Sequence, residues 1–309
     1  MKKIFISGVA GCLGSNLAEY YLNKKFEICS IDNFSTGKEK EVKDLEKLGL
    51  KFYEGSVSDF ALLEKIFINF KPDYIIHSAA SYKDPNDFHE DINTNILGMV
   101  NLVNLALKIK VKKFINFQTA LCYGIPKSTP ISVQSELRPF TSYGISKTAG
   151  EAYLINSDLS YVSLRLGNIC GPRLSIGPIP TFYERLKEGK ECFCTDSVRD
   201  FLDYSDFQDF IDLSFEENIK GIFNLSTGKG NSIKEIYELV CDHFEIKDKK
   251  VEVRKINKDD IKEVVLDPTE AFKTGWKPKF SFEEIIRRQL KWYDSNSIEE
   301  IYSHLKNES

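Results

Sequence analysis

Short β-branched or apolar runs alternate with amphipathic stretches through the first half of the chain, and this pattern constrains the fold most. The runs KKIFISG, FEICSID, PDYIIHSAA and KKFINFQT are separated by stretches such as LGSNLAEYYLNK and FALLEKIFINF. Strands joined through helices of this length form parallel βαβ units with right-handed crossovers. Several strand runs lack polar alternation, which is typical of a sheet covered on both faces. The sequence therefore predicts an α/β fold with a doubly wound parallel sheet.

The regular alternation stops after the strand pattern SYVSLRLGNICGPR, because Gly and Pro cluster in residues 171–180. Shorter elements follow: a strand in GIFNLST, a helix in SIKEIYELVCDHF capped by Ser232, a charged strand in KVEVRKI and a terminal helix in SFEEIIRRQLKWYDS. We predict a main domain of residues 1–166 plus about 198–225, the latter returning to the sheet. A smaller lobe would comprise about residues 167–197 and 226–309.

Composition excludes several functional classes. A net charge of −4 over 309 residues argues against nucleic-acid and membrane-surface partners, which normally require a basic patch. The start MKKIFISG has too few apolar residues for a signal peptide or a membrane span, so we expect a cytoplasmic protein. The seven cysteines are an odd number without a Cys-x-x-Cys pair or a nearby His, which predicts reduced thiols and no metal site.

A glycine-rich turn, Gly8, Gly11 and Gly14, follows the first strand directly and opens the first helix. Glycines allow backbone amides to approach a pyrophosphate at the positive end of the helix. Asp32 ends the second strand, within the interval of roughly 20 residues at which a carboxylate meets an adenosine ribose. Because a carboxylate repels a 2'-phosphate, NAD is predicted rather than NADP. The alternative is that these glycines serve only strand–helix packing.

Other positions fit the same pocket. Asp59 is placed to contact the adenine edge. Ala79 and Ala80 follow a strand, and their small side chains leave room for the cofactor. Each is equally consistent with a structural role. The predicted cofactor-binding residues of this region are Gly8, Gly11, Cys12, Leu13, Gly14, Asp32, Asn33, Asp59, Ala79 and Ala80.

Tyr143 and Lys147 are four residues apart, which places both on one helical face. A phenol has a pKa of about 10, and a neighbouring cation favours the phenolate, so the pair is suited to removing a proton from an alcohol. Taken alone, the pair is also explained by an amphipathic helix with a buried Tyr and a snorkelling Lys.

The order of the glycine turn, Asp32, IIHSAA, Asn95, Thr119, Tyr143, Lys147 and RLGNICGPR closely resembles the extended short-chain dehydrogenase/reductases, the nucleotide-sugar epimerase and dehydratase family. The resemblance extends over nearly the whole chain. It implies a Rossmann-type fold with a smaller C-terminal substrate-binding lobe and a tightly bound NAD. It also implies that Thr119 bonds the sugar hydroxyl, Tyr143 is the general base, and Lys147 holds the nicotinamide ribose and lowers the tyrosine pKa. The resemblance adds Asn95, Tyr143 and Lys147 to the predicted cofactor-binding residues.

The same resemblance implies a nucleotide-diphospho-sugar substrate, UDP- or GDP-linked. Asn168 and Arg199 match positions that meet the substrate pyrophosphate, and Arg173 lies in the loop that closes over it. Lys83 in SYKDP is a further candidate for substrate binding.

Residues next to Thr119 separate this chain from some relatives. Sugar 4,6-dehydratases follow the catalytic Thr with Asp-Glu, whereas Ala120 and Leu121 here cannot transfer protons. The 3,5-epimerase/reductases use a Cys and a His where this chain has Leu121 and, approximately, Arg173. Cys122 is one residue out of register, and we interpret it as a packed strand residue. The expected chemistry is oxidation and reduction of a carbinol.

The predicted function is NAD-dependent oxidation at C4 of a nucleotide sugar, as a 4-epimerase in surface-polysaccharide precursor synthesis. SYKDP and FQTALCYG resemble that subgroup. One alternative is a net 4-dehydrogenase, for example on GDP-manno-heptose, whose NADH is reoxidised by a second substrate. Another is a non-catalytic NAD-binding regulatory protein.

Two helical stretches, NTNILGMVNLVNLALKI and SYGISKTAGEAYLI, carry apolar residues on more than one face. This indicates burial against the sheet and against a partner. In the family these two helices form a dimer interface, so we expect a homodimer or a higher homo-oligomer.

Overall fold

Strands and helices alternate along the first half of the molecule. The computed structural model describes residues 2–256 and 260–298. Its strands are β1 (Lys3–Ser7), β2 (Glu27–Asp32), β3 (Lys51–Glu54), β4 (Tyr74–His77), β5 (Lys113–Thr119), β6 (Tyr161–Leu166), β7 (Asn168–Cys170), β8 (Phe193–Thr195), β9 (Val198–Arg199), β10 (Phe201–Asp203), β11 (Gly221–Leu225), β12 (Asn231–Ser232), β13 (Glu252–Arg254) and β14 (Glu263–Val264). Its helices are α1 (Cys12–Asn23), α2 (Glu39–Lys47), α3 (Phe60–Phe70), α4 (Phe88–Asp91), α5 (Gly98–Ile109), α6 (Ser142–Ile155), α7 (Pro178–Lys187), α8 (Tyr204–Leu213), α9 (Ile233–His243), α10 (Thr269–Phe272) and α11 (Phe282–Ser295). A π-helical turn covers Ile92–Leu97 and a 3-10 turn covers Ala120–Tyr123.

Seven strands form the main sheet in the order β3-β2-β1-β4-β5-β6-β11. The pairings from β3 to β6 are parallel. This is the order of a doubly wound sheet, with the reversal between β1 and β4, and it confirms the predicted fold class. Ser7 pairs with Ile31 on one side and with His77 on the other. The glycine turn, Asp32 and the loop after β4 therefore begin at the same edge of the sheet, where ligands of such folds bind.

One face of the sheet is covered by α3, α5 and α6. Phe5 and Phe114 from the sheet pack in one cluster with Phe67, Leu102 and Leu154 from these helices, and all five are fully buried. The Phe5 and Phe67 rings meet edge to face at 4.8 Å. Burial of each such side chain stabilises the fold by about 1.5–3 kcal/mol. The apolar side of each helix therefore packs against the sheet.

The helical stretch Phe88–Ile109 combines α4, the π-helical turn and α5. By length and composition alone it is apolar enough to cross a membrane, but 50% of its apolar 18-residue segment is buried inside the protein. Leu102, Leu105 and Ala106 are core residues under the sheet, which accounts for the apolar composition. The stretch also packs closely on α6, because a Cβ at Gly150 would stand 2.3 Å from the carbonyl oxygen of Asn95.

The chain divides into two compact units. The first comprises residues 1–124, 136–166 and 211–223, and the second 125–135, 167–210 and 224–309, within the described ranges. Of the segment 198–225, which we expected to return to the main sheet, only β11 does so, whereas β9 and β10 belong to small separate sheets. The pattern SYVSLRLGNICGPR is two strands rather than one, since β7 leaves the main sheet and pairs with β10.

The second unit contains the shorter elements. Ser232 caps α9 in a reciprocal capping box with Glu235, as the sequence predicts, and Ser281 caps α11 in the same way with Glu284. The charged strand in KVEVRKI is confirmed as β13, which pairs with β8. These caps satisfy helix-terminal N–H groups that would otherwise lack acceptors.

Candidate functional site

Gly8 and Gly14 are required by the packing of the glycine turn itself. Gly8 has φ +72°, and a Cβ there would lie 2.5 Å from the amide nitrogen of Ala79. A Cβ at Gly14 would lie 2.2 Å from the carbonyl oxygen of Gly8. Gly11 differs, because a Cβ there would meet only the Gly8 oxygen at an ordinary 3.5 Å. Strand–helix packing therefore explains why Gly8 and Gly14 are glycines. It does not explain the glycine at position 11.

The first turn of α1 is built to receive an anion. Gly11 is the N-cap residue and offers no side-chain acceptor, and the first turn contains no acidic residue. Helix geometry leaves the N–H groups of this turn without intrahelical acceptors, at the positive end of the helix dipole. Cys12 and Leu13 are its first residues and are partly buried. These features fit the pyrophosphate of a dinucleotide.

Asp32 joins the glycine turn to the loop after β2. Its Oδ2 accepts the N–H of Ala10 at 2.9 Å, and its Oδ1 accepts the N–H of Phe34 at 2.8 Å. Burial raises the pKa of Asp32, while the backbone N–H groups act in the opposite direction. Each carboxylate oxygen retains a second acceptor site, so both ribose hydroxyls have acceptors here. The neighbouring Asn33 is exposed, and its Oδ1 accepts the N–H of Ser35.

Gly37 is a residue of this region that the sequence analysis missed. A Cβ at Gly37 would lie 2.4 Å from the Cβ of Ala10, and the N–H of Lys38 donates to the carbonyl of Ala10 at 3.1 Å. The loop after Asp32 is thus folded onto the glycine turn. In the sequence, only the glycine at the start of GKEKE could have indicated this contact. The stretch that follows it also matches an exposed helix, so the glycine does not stand out.

The remaining predicted cofactor positions have contacts of their own. Asp59 is exposed and caps α3 by accepting the N–H of Leu62 at 3.0 Å. Ala79 and Ala80 are partly buried after β4, and the N–H of Ala79 donates to Ser7 Oγ at 3.4 Å. The Ala79 backbone lies against the glycine turn, as the clash at Gly8 shows. Roles of these residues toward adenine stay predictions.

Asn95 is buried beside α6 and forms hydrogen bonds to two neighbouring segments. Its Nδ2 donates to the carbonyl of Ser81 at 3.0 Å and to Ser146 Oγ at 2.9 Å, and its Oδ1 accepts the N–H of Ser81 at 3.0 Å. Both amide hydrogens are therefore used within the protein. Asn95 ties the loop after β4 to the residue that precedes Lys147, and its direct role toward a cofactor stays a prediction.

Tyr143 and Thr119 meet where β5 ends and α6 begins. Thr141 caps α6, and the Tyr143 side chain lies next to that of Thr119, which acts to lower the pKa of Tyr143. Thr119 Oγ1 also accepts the N–H of Leu121 at 3.1 Å, which orients it. The Tyr82 ring lies edge-on to that of Tyr143, with centroids 6.2 Å apart. The structure therefore brings together the predicted base and the predicted hydroxyl-bonding residue.

Lys147 is one helical turn further along the same face of α6. Its side chain is buried, with 4% exposure, and within the described residues its ammonium has no hydrogen-bond partner. Burial lowers the pKa of Lys147 from 10.5 to about 8, and Glu151 opposes this. The pKa of Tyr143 is raised, chiefly by burial and then by Tyr82, while Thr119 acts to lower it. This direction is opposite to the lowered tyrosine pKa that the resemblance implies, because burial is the largest cause.

Two further residues of this region were missed by the sequence analysis. Gln118 is buried; its Oε1 accepts the N–H of Thr119 at 2.8 Å and its Nε2 donates to the carbonyl of Lys147 at 3.0 Å. Asp91 is buried and accepts a 2.5 Å hydrogen bond from the hydroxyl of Ser142, and its charge contributes to the raised pKa of Tyr143. No sequence signal distinguishes either from an ordinary polar residue.

The predicted substrate residues are distributed over both units. In the second unit, exposed Asn168 donates to the carbonyl of Asp200 at 3.0 Å, and the Arg199 guanidinium forms an ion pair with Asp260 at 3.0 Å. Arg173 is partly buried with φ +64°. In the first unit, Lys83 is exposed in the loop after β4. Their roles stay predictions.

Comparison with known proteins decides the family. Residues 4–226 match the NAD dependent epimerase/dehydratase family. The chain belongs to this family. It is similar to the crystal structure of the Bordetella bronchiseptica enzyme WbmG in complex with NAD and UDP, with 53% identity, a TM-score of 0.93 and 98% of both chains covered. It is also similar to the UDP-glucose 4-epimerase of Thermotoga maritima with UDP-glucose, with 28% identity, a TM-score of 0.85 and 95% and 99% of the two chains covered. The curated UDP-glucose 4-epimerase of Lactobacillus helveticus is 28% identical over 330 residues, covering 95% of this chain and 98% of that one.

Membership of the epimerase/dehydratase family makes the protein an NAD-dependent enzyme that acts on nucleotide sugars. The prediction of NAD is confirmed. The chain's own residues fit this cofactor: the first turn of α1 for the pyrophosphate, Asp32 for the ribose, and Gly11 for close backbone approach.

The two positions after Thr119 supply no proton-transfer group for dehydration. Ala120 is buried and Leu121 is apolar. Cys122 is fully buried, and burial raises its pKa to about 12, so it stays a thiol. It lies in the 3-10 turn rather than in a strand as we had interpreted it, because the chain bends at the end of β5. Within residues 2–256 and 260–298, no cluster of three or more His, Cys, Asp or Glu residues could hold a metal ion.

Proposed function

We propose that this family member is a nucleotide-sugar 4-epimerase, acting on a UDP-linked sugar in the synthesis of surface-polysaccharide precursors. The observation that carries the proposal is the placement of Tyr143 next to Thr119 and one helical turn from buried Lys147, with no acid or base at positions 120 and 121. This set suffices for reversible oxidation of one carbinol. The complex of WbmG with NAD and UDP supports a uridine nucleotide.

Bound NAD supplies the hydride acceptor, and the residues of the chain supply orientation and proton transfer. Thr119 holds the C4 oxygen of the sugar beside Tyr143. The phenolate of Tyr143 accepts the hydroxyl proton while the C4 hydrogen departs with its electron pair, and a ketone remains. The ammonium of Lys147 favours the phenolate through its charge.

The raised pKa of Tyr143 suits the return half of the reaction. A buried phenol is protonated at neutral pH, so Tyr143 holds the proton that the C4 oxygen receives when hydride returns to the ketone. If the ketone has turned in the site, hydride arrives on the opposite face and the C4 configuration is inverted. The net reaction then involves no oxidation.

Product analysis tests the proposal. UDP-hexoses and their uronic acids are incubated with the purified enzyme, and products and nicotinamide absorbance are followed together. An epimer formed without accumulation of reduced nicotinamide supports epimerisation. A released 4-keto sugar with one equivalent of reduced nicotinamide would establish the 4-dehydrogenase instead, and a GDP-linked substrate set tests that alternative. Mass spectrometry of ligands released by denaturation identifies the copurified nucleotide.

We also propose that the enzyme is a cytoplasmic homodimer. Several large apolar side chains on α4 to α6 are exposed, which is unusual for helices that otherwise pack on the core. They are Phe88, Ile92, Leu97, Ile145 and Tyr153, with exposures from 42% to 59%. A second copy covering this face would bury them. Light scattering that gives the monomer mass at micromolar concentration would contradict the dimer.

A further inference from the structure

One stripe of α6 carries Tyr143, Lys147, Glu151 and Leu154 at helical spacing over the sheet. These side chains contact different parts of the protein. Tyr143 meets Thr119, Glu151 meets polar residues of β6, and Leu154 lies in the apolar core. Glu151 is thus a buried carboxylate one turn from the lysine of the reaction.

Glu151 is held by three hydrogen bonds from β6. Its Oε1 accepts the hydroxyl of Ser163 at 2.6 Å and the Nε–H of Arg165 at 3.4 Å, and its Oε2 accepts an Nη2–H of Arg165 at 2.9 Å. Arg165 also donates to the hydroxyl of Tyr123 at 3.0 Å. Both charged side chains are almost completely buried, Arg165 at 4% exposure and Glu151 at 1%.

Stability alone is a weak reason for such a pair. The desolvation of two buried charges offsets most of their attraction, and apolar side chains of similar volume would join α6 to β6 at equal or lower cost. In the described part of the chain, Glu151 is bonded by Ser163 and Arg165 of β6 and forms no hydrogen bond or ion pair with the Lys147 ammonium. Its influence on Lys147 therefore acts through its charge.

We propose that Glu151, fixed by Arg165 and Ser163, is a positioning residue that keeps Lys147 in its ammonium form inside the buried site. The inference rests on the proposed function insofar as the Lys147 cation acts on Tyr143. An uncharged residue at position 151 would leave a buried ammonium with no compensating charge on its own helix.

The charges around Lys147 support this assignment. Burial lowers the pKa of Lys147, and Glu151 is the neighbour that raises it. Lys147 in turn helps to lower the pKa of buried His77, so His77 stays neutral and adds no second cation. The titratable groups that face this stripe of α6 are Tyr82 of the loop after β4, Asp91 of α4, His77 of β4, Cys122 and Tyr123 of the 3-10 turn, and Tyr161 and Arg165 of β6.

Titration of lysine side chains by NMR tests the proposal without any sugar nucleotide. The full chain is labelled with ¹³Cε-lysine and saturated with NAD, and Lys147 is assigned from the Lys147→Arg spectrum. Saturation is verified first by a binding measurement, and failure at that stage concerns the proposed function, not Glu151. We expect Glu151→Gln to move the Lys147 midpoint down by about one pH unit, a tenfold change in the proton equilibrium.

Ser163→Ala is the matched control, because it removes a hydrogen bond to Glu151 and leaves the charge. Its Lys147 midpoint should stay at the wild-type value. Should Glu151→Gln fail to fold because Arg165 is left unpaired, Glu151→Gln with Arg165→Gln removes both charges and is expected to lower the midpoint as well. An unchanged midpoint in the folded Glu151→Gln variant overturns the proposal, as does an equal displacement in Ser163→Ala.

Discussion

The Nε2 of Gln118 donates a 3.0 Å hydrogen bond to the main-chain oxygen of Lys147. Through its other amide atom, the same side chain accepts the N–H of Thr119. A single buried amide thus links the end of β5, which carries Thr119, to the second turn of α6, which carries Lys147. The spacing between Thr119 and Lys147 depends on this link.

Gln118→Leu is expected to destabilise the protein and to reduce turnover. Two buried backbone groups lose their partners, at about 1–3 kcal/mol each, and β5 is no longer tied to α6. Urea unfolding and kcat measure the two effects. Gln289→Leu is the control, since this glutamine is equally buried but neither of its amide atoms has a hydrogen-bond partner in the described part of the chain. Equal losses in both variants would refute the role of Gln118.

Tyr143→Phe should lower kcat about 10²–10⁴-fold on an accepted sugar nucleotide, because it removes the proton-transfer group and little else. NAD binding should persist, since the glycine turn and Asp32 are untouched. Tyr153→Phe serves as the control, because Tyr153 lies on the same helix with 55% exposure in the single chain, and Phe keeps the ring that the proposed dimer would bury. Wild-type turnover of Tyr143→Phe would disprove the general-base role.

The sequence predicted the doubly wound sheet and the meeting of Tyr143 with Thr119, because hydrophobic periodicity and motif order report on local structure. It did not reveal Gln118, Asp91 or Gly37. Their importance arises from contacts between segments distant in sequence, such as Asp91 with Ser142, and these follow only from the packed fold. The strand interpretation at Cys122 and β7 failed for the same reason, since apolar β-branched runs do not show where the chain bends out of a sheet.

Gly11→Ala should weaken NAD binding at least tenfold while costing the fold about 1 kcal/mol or less. A methyl group at Gly11 meets no close protein atom, but it projects at the turn where the pyrophosphate approaches. Gly14→Ala provides the contrast, because its Cβ clashes with the Gly8 carbonyl and should cost about 1–3 kcal/mol. Calorimetric Kd values and thermal unfolding separate the two. A stable Gly14→Ala with normal NAD affinity would contradict this assignment.

Asp32 should make the enzyme prefer NAD to NADP. We expect its carboxylate to bind the adenosine ribose and to repel a 2'-phosphate, and its bonds to Ala10 and Phe34 hold it in place. The Kd for NADP is expected to exceed that for NAD by at least tenfold. Asp32→Asn should reduce this ratio of the two Kd values. Tighter binding of NADP by the wild-type enzyme would remove Asp32 from the cofactor site.

Lys147→Met should stabilise the protein at neutral pH while abolishing turnover. The folded pKa of about 8 lies below the ordinary 10.5, so the fold disfavours the ammonium, by up to about 3 kcal/mol. This cost is fully present below about pH 8 and declines as pH rises toward 10.5, because the folded protein releases its proton before the unfolded chain does. Wild-type stability should therefore rise relative to Lys147→Met across this window. Urea unfolding of both proteins at pH 7 and pH 9.5 measures the difference, and a stability gap that does not narrow with pH would show that Lys147 is not held as a destabilised cation.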